Sequence, residues 1–166
     1  MKDSKVAIIM GSDSDLNVVS ETIKVLKEFK VKHSVNVASA HRTPELVMDI
    51  VSKAEAGGVQ VLISAAGAAA HLGGVIAAHT TLPVIGIPID ATSFGGMDAL
   101  LSTVQMPGGV PVASMAVGKA GAKNAGLFAV QILALNDEGL KKKLVKYKED
   151  MKKKVNAKNK SIQKLV

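Results

Sequence analysis

The chain has 166 residues, which suits one compact domain and is long enough to bury roughly 70% of its unfolded surface without a disulfide or metal staple. It has no cysteine, so disulfides, thiolate metal sites and a cysteine nucleophile are excluded. The formal charge of +7 invites a polyanionic partner, but residues 1–135 carry ten basic and ten acidic side chains, and the excess lies wholly in residues 136–166, with 11 lysines against four acids.

In chain order, Met1–Met10 holds two lysines and a five-residue apolar run from Val6, too short for a signal-peptide core, so the expected location is cytoplasmic. Lys5–Met10 predicts a buried strand. Gly11–Asp15 predicts a turn in which Asp13, Ser14 or Asp15 caps a helix reaching about Phe29. His33–Ala38 predicts a second strand. Thr43 is placed to cap, and Pro44 to open, a helix that runs to Ala56 and ends at Gly57-Gly58. Val59–Ser64 predicts the third strand, followed by a loop and an alanine-rich helix to about Thr80. Pro83–Ile87 predicts a fourth strand, Met97–Gln105 a helix and Val112–Val117 a fifth strand. Lys119–Leu135 and a long lysine-rich helix from about Glu138 complete the pattern. That last helix repeats apolar residues at Leu140, Leu144, Tyr147, Met151 and Val155, so one face is expected to dock on its own domain or on a neighbouring subunit.

Alternation of strand and helix predicts an α/β, three-layer fold: a parallel sheet of about five strands with helices on both faces, in a single domain over 1–166, of which 136–166 is a helical extension. Ala56–Ile89 and Ala99–Gly118 carry no Asp, Glu, Lys or Arg. Glycine and proline interrupt both stretches, so they read as buried strands, packed helices and subunit interface rather than membrane spans. Four aromatics (Phe29, Phe94, Phe128, Tyr147) make no stacking platform, and no nucleic-acid or membrane partner is expected.

Ligands of parallel sheets bind beyond the carboxyl ends of the strands. That rule selects three loops: Gly11–Asp15, Ser39–Pro44 and Ala65–His71. The first offers hydroxyls and free amides at a helix start, suited to phosphate, but it is neither a Walker loop nor a dinucleotide fingerprint. Of Asp13 and Asp15, one suits ribose hydroxyls and the other a helix cap. Arg42 is the only arginine; the other 20 basic residues are lysines. Its planar fork matches phosphate or carboxylate as no lysine does. His41 and His71 fall in these loops and suit general acid–base work, whereas His33 and His79 read as structural. No HxH or HExxH spacing occurs, so a metal site is not expected.

Five blocks carry a resemblance: Met10–Asp15, Ser39–Pro44, Ala70-His71-Leu72, Val104–Val112 and Gly118–Ala125. Over about Lys5–Leu135 the chain resembles the N5-carboxyaminoimidazole ribonucleotide mutase family. The resemblance implies a flavodoxin-like fold, a homo-octamer with sites at subunit contacts, a small-molecule ribonucleotide substrate, and no metal or organic cofactor. It implies Ser12 and Arg42 on the phosphate, helped by Ser14 and Ser39, and Asp15 on the ribose. His41 becomes the proton-transfer residue, and His71 lies in the loop that walls the base. A small apolar pocket of Ala66, Gly67, Ala68 and Ala70, with Ala40 and Leu72 as further substrate contacts, completes the expected site. Family members usually have a more glycine-rich third loop, where this chain has Ala65 and Ala68, and proline where it has Gly73. These departures imply a narrower pocket and a looser His71 loop. Three other readings share the pattern: a carboxylase using free carbon dioxide, which typically has lysine after the loop histidine; a noncatalytic flavodoxin-like nucleotide binder; and an oligomeric scaffold whose basic tail binds polyanions.

Overall fold

Val6–Met10 (β1) is apolar and buried along its whole length, as a strand covered on both faces must be. The computed structural model describes residues 3–165; Met1, Lys2 and Val166, the ends of the expected N-terminal segment and of the 1–166 domain, lie outside the described residues. Around β1 the remaining strands are His33–Val37 (β2), Val61–Gly67 (β3), Val84–Ile89 (β4) and Ala113–Ser114 (β5). All pair in parallel, in the order β2-β1-β3-β4-β5. The helices are Leu16–Glu28 (α1), Pro44–Ala56 (α2), Leu72–Ala77 (α3), Met97–Val104 (α4), Gly118–Leu133 (α5) and Glu138–Gln163 (α6).

Side-chain alternation along the strands builds a core on each face. Ala7, Ile9 and Leu62 pack with Val47, Ile50, Val51 and Ala54 of α2 and with Leu72 and Ile76 of α3. On the same face α4 approaches β4 closely, because a Cβ on Gly86 would lie 2.4 Å from Thr103 Cγ2. The other face carries α1 beside α5. Thr22 Oγ1 donates to the Ala122 carbonyl at 2.6 Å, and a Cβ on Gly126 would reach 3.0 Å from the Val25 Cβ.

The chain divides into two compact units, Met1–Val130 and Gln131–Val166. The second holds α6, capped by the Asp137 side chain, which accepts from the Leu140 N–H at 3.0 Å. Of the expected docking face Leu140 is buried, whereas Met151 and Val155 are 43% and 65% exposed. Among the described residues no helix is long and apolar enough to cross a membrane.

Several boundaries differ from the sequence expectation for physical reasons. Strand β3 runs three residues past Ser64, since Ala65, Ala66 and Gly67 pair with Ile87, Pro88 and Ile89. Helix α3 is a six-residue segment ending at Ala77, with Leu72, Gly73 and Ile76 buried and Val75 and Ala77 packed partly against the same core. Strand β5 shrinks to two residues. Pro111 has no N–H to offer before it, and after it the backbone at Ala116 lies against α5, where a Cβ on Gly121 would fall 1.5 Å from the Ala116 carbonyl oxygen.

Candidate active site

The connections leaving β1 and β3 diverge, one toward β2 and one toward β4, which opens a crevice above their carboxyl ends. A cleft of about 380 Å³ lies there, within the range of small-molecule sites. It is lined by Gly11, Ser12, Ser14 and Asp15 after β1, by Ser39, Ala40, His41 and Arg42 after β2, and by Ala66 to Ala69 with Leu72 at the end of β3. Ala91, beyond β4, completes it.

Asp15 stands at the N-cap position of α1 but makes no side-chain cap bond there, and it is Ser12 that caps the turn before it. Its Oγ accepts from the Ser14 N–H at 3.3 Å, and the Asp15 Oδ2 accepts from the Ser12 N–H at 3.0 Å, a reciprocal box over the single 3-10 turn that leads into α1. The Ser14 hydroxyl donates to Ser12 Oγ at 2.8 Å, and Ser12 in turn donates to Asp13 Oδ1 at 3.2 Å. Asp15 is 5% exposed, and burial raises its carboxyl above the usual value of 3.8; the Ser12 N–H opposes that rise and the neighbouring Asp13 charge adds to it. The unfolded chain therefore ionises at a lower pH than the folded one. As pH climbs above 3.8 this carboxyl costs stability, and the cost persists once both states are ionised. Asp15→Asn keeps an acceptor for Ser12 and removes the titration. Its melting temperature should gain on that of the wild type between about pH 3 and pH 7. A constant separation between the two melting curves across that range would contradict this account.

The second loop is organised by Thr43 in a way its sequence position hides. Thr43 makes no side-chain cap to α2. Its Oγ1 instead accepts from the Ser39 N–H at 3.0 Å and donates to the Ser39 carbonyl at 3.2 Å, closing the loop on itself. The Ser39 hydroxyl oxygen then accepts from the Arg42 N–H and from Arg42 Nε, each at 3.3 Å. Arg42 Nη2 donates across the crevice to the Gly11 carbonyl at 3.3 Å. One guanidinium thus fastens the second loop to the first and keeps its remaining donors at the cleft.

On the third loop Gly67 is sterically required, since a Cβ would fall 2.5 Å from the Ala91 Cβ. Ala65 is fully buried and does not line the cleft, so its methyl narrows nothing. Gly73 lies inside α3, where a Cβ would approach Ser64 Oγ to 2.9 Å, which makes it a packing position rather than a loose one. Ala68 faces the cleft in the left-handed region at φ 53°. An alanine there costs about 1–2 kcal/mol. Glycine would return about 0.4–1 kcal/mol of that through a freer unfolded chain. Ala68→Gly should raise stability by about 0.5–1 kcal/mol, read as a higher melting temperature at fixed protein concentration. An unchanged or lower melting temperature would count against strain in this loop.

Of the residues singled out from sequence, Ser12, Ser14, Asp15, Ser39, Ala40, His41, Arg42, Ala66, Gly67 and Leu72 line the one cleft, while Ala70 is buried and does not line it. His71 sits at the cap of α3 beside a second, shallower depression formed with Gly74, Val75, Leu101 and Met106. Its ring nevertheless reaches the first site, with Nδ1 2.9 Å from His41 Nε2. His33 and His79 use Nδ1 on the carbonyls of Val31 and Val75, at 2.9 and 2.8 Å. Ala91 was not legible, because β4 was expected to stop at Ile87, two residues short of the strand end that carries it. Among the described residues no three His, Cys, Asp or Glu side chains gather as a metal cluster.

Strand order and switch-point cleft define a flavodoxin-like α/β protein with a crevice of small-molecule size at its hydroxyl-lined first loop. Residues 5–154 match the AIR carboxylase family, and the chain belongs to it. It is 55% identical over 148 residues to the N5-carboxyaminoimidazole ribonucleotide mutase of Pyrococcus abyssi, spanning 89% of this chain and 84% of that protein. It is 51% identical over 160 residues to the mutase of the same name from Methanocaldococcus jannaschii, spanning 96% and 98%. The crystal structure of Treponema denticola PurE superposes with a TM-score of 0.84 at 29% identity, covering 92% of this chain and 94% of that one.

Proposed function

We propose that this chain is an isomerase of purine biosynthesis that interconverts N5-carboxyaminoimidazole ribonucleotide and 4-carboxy-5-aminoimidazole ribonucleotide. The observation that carries the reading is the meeting, in one cleft, of His41 with the lone arginine and the serine-lined helix start. Arg42, Ser12, Ser14 and Ser39 supply donors for the 5′-phosphate. Asp15, a desolvated carboxylate with one backbone donor, is suited to accept from the ribose hydroxyls. Ala40, Ala66, Gly67 and Leu72 form an apolar wall against which the base and a freed carbon dioxide can rest.

The chemistry balances without a cofactor. The carbamate C–N bond breaks as His41, protonated, gives its proton to the exocyclic nitrogen, leaving the aminoimidazole ribonucleotide and carbon dioxide. The ring carbon forms its new bond to that carbon dioxide, and the neutral imidazole takes the proton the carbon loses. One proton is delivered and one recovered, so a single histidine suffices. The rate gain comes from holding carbon dioxide beside the ring carbon and keeping water out.

The test is a turnover assay with the purified carbamate ribonucleotide, labelled in its carboxyl group, in unlabelled bicarbonate and without nucleotide triphosphate. Retention of the label in the carbon-carboxylated product is expected. Washout of label, or turnover of the aminoimidazole ribonucleotide only at high bicarbonate, would reassign the chain to carboxylation with free carbon dioxide. We further propose a cytoplasmic homo-octamer, supported by the exposed Phe94, Met97, Leu101 and Val104 and by the exposed Met151 and Val155 of α6. Light scattering should then return eight times the 17.2 kDa chain mass, and a monomer mass would refute it.

A further inference from the structure

Ring to ring, the contact between His41 and His71 joins the loops after β2 and β3 across the end of β1, which lies between those strands. The rings meet edge to face, 81° apart with centroids 5.0 Å from one another. Each is the only hydrogen-bonding partner of the other's ring among the described residues. The two differ in how firmly they are held. His71 is anchored through its backbone: its N–H donates to the Ala69 carbonyl at 2.8 Å and its carbonyl accepts from Val75 at 3.0 Å. Directly behind it, Leu72 and Ile76 are buried in the core. Both side chains are exposed, but His41 lies in a turn with no backbone hydrogen bond of its own among the described residues.

From this asymmetry we propose that His71 is a positioning residue for His41, fixing the orientation of that ring and the nitrogen on which its hydrogen sits. The proposal rests on the proton-transfer role given to His41 above. Two neutral imidazoles 2.9 Å apart share one hydrogen, so one ring donates and the other accepts. Whichever way it points, His41 Nε2 is committed to His71, and Nδ1 is the nitrogen left for the substrate. When His41 Nε2–H donates, Nδ1 is bare and can take a proton; once protonated there, the ring keeps Nε2–H on His71 and can give the Nδ1 hydrogen back. Both halves of the reaction then use one nitrogen of one ring, and the proton count is conserved with no change at His71. Without the contact, a solvent-exposed ring would divide its time among rotamers and tautomers, and only a fraction would be competent.

Two measurements test this. The first uses the free wild-type protein with ¹⁵N-labelled histidine and needs no substrate. A nitrogen–nitrogen coupling across the hydrogen bond, joining His41 Nε2 to His71 Nδ1, is expected, and its absence overturns the proposal. The second is kinetic. Replacing His71 by leucine should lower kcat roughly 10–100-fold with KM changed less than about threefold, since the substrate contacts remain. Asn can return an amide group near the Nδ1 position, so His71→Asn should recover most of the loss, while His71→Gln, with its amide one carbon further out, should not. Equal activity of the leucine and asparagine variants, or a rise in KM alone, would make His71 a packing or substrate-wall residue instead. A coupling in a wild-type protein that fails to turn over the carbamate would leave the pair intact and remove the function proposed for it. Turnover without the coupling would do the reverse.

Discussion

Replacing His41 with asparagine should lower kcat at least about 100-fold, and up to about 10⁴-fold, while KM stays within a few-fold of wild type. Asparagine has nearly the same reach from the backbone and can hydrogen-bond, but it cannot carry a proton at neutral pH. The donors proposed for the phosphate lie on other side chains, and the loop is closed by Thr43, Ser39 and Arg42, none of which bonds to the His41 ring. Binding and folding should survive while the chemistry fails. His41 is also exposed, so the substitution leaves no cavity and the melting temperature should not move. The decisive readout is steady-state turnover of the carbamate ribonucleotide, with substrate affinity measured separately by calorimetry. A variant with full turnover would reassign the proton transfer to another group. A variant that no longer binds would make His41 a recognition residue.

The sheet was legible because burial on both faces leaves long apolar β-branched runs, and Val6–Met10 and Val84–Ile87 announce themselves in that way. Helix α2 was legible to the residue, since Pro44 and the pair Gly57-Gly58 punctuate it. The misread ends have a common cause, which is that their conformation is set by a neighbour distant in sequence. Ala65-Ala66-Gly67 has little intrinsic strand preference and stays extended because β4 pairs with it and Ala91 leaves no room for a Cβ at Gly67. Thr43 has the sequence signature of a helix cap, yet its hydroxyl closes a loop back to Ser39.

Legibility of the cleft follows the same rule. Residue types and strand-end positions brought out His41, Arg42 and the serine-bearing first loop, and the family resemblance singled out Ser12 within it. Pairings were hidden. The contact between His41 and His71 spans 30 residues, and that between Arg42 and Gly11 spans 31, through loops whose spacing encodes neither. Ala68 was recognisable only as an alanine where glycine is usual. Its left-handed backbone turns that departure into a local strain at the cleft, the kind of cost that accumulates at functional sites.

Arg42→Lys, which preserves the charge, should raise KM roughly 10–100-fold while changing kcat much less, and Arg42→Ala should do more. The reason is geometric. The guanidinium spends Nε on Ser39 and Nη2 on Gly11, and still has Nη1 and the second hydrogen of Nη2 for an anion. A lysine ammonium is a single point at the end of a flexible stem and cannot brace both loops while also meeting a phosphate oxygen. Each charge-assisted hydrogen bond lost is worth about 1.5–3 kcal/mol, and a tenfold change in affinity corresponds to about 1.4 kcal/mol, so losing one such bond already accounts for the shift. Inorganic phosphate, as a competitive inhibitor, should weaken in the same proportion, because it probes the anion contact without the base or the carboxylate. If phosphate inhibition is unchanged while the melting temperature falls, Arg42 serves as a brace between the loops, and the anion contact must be sought on Ser12 and Ser14. If phosphate inhibition and KM move together at constant melting temperature, the lone arginine is the anchor that holds the nucleotide while its carboxyl group moves.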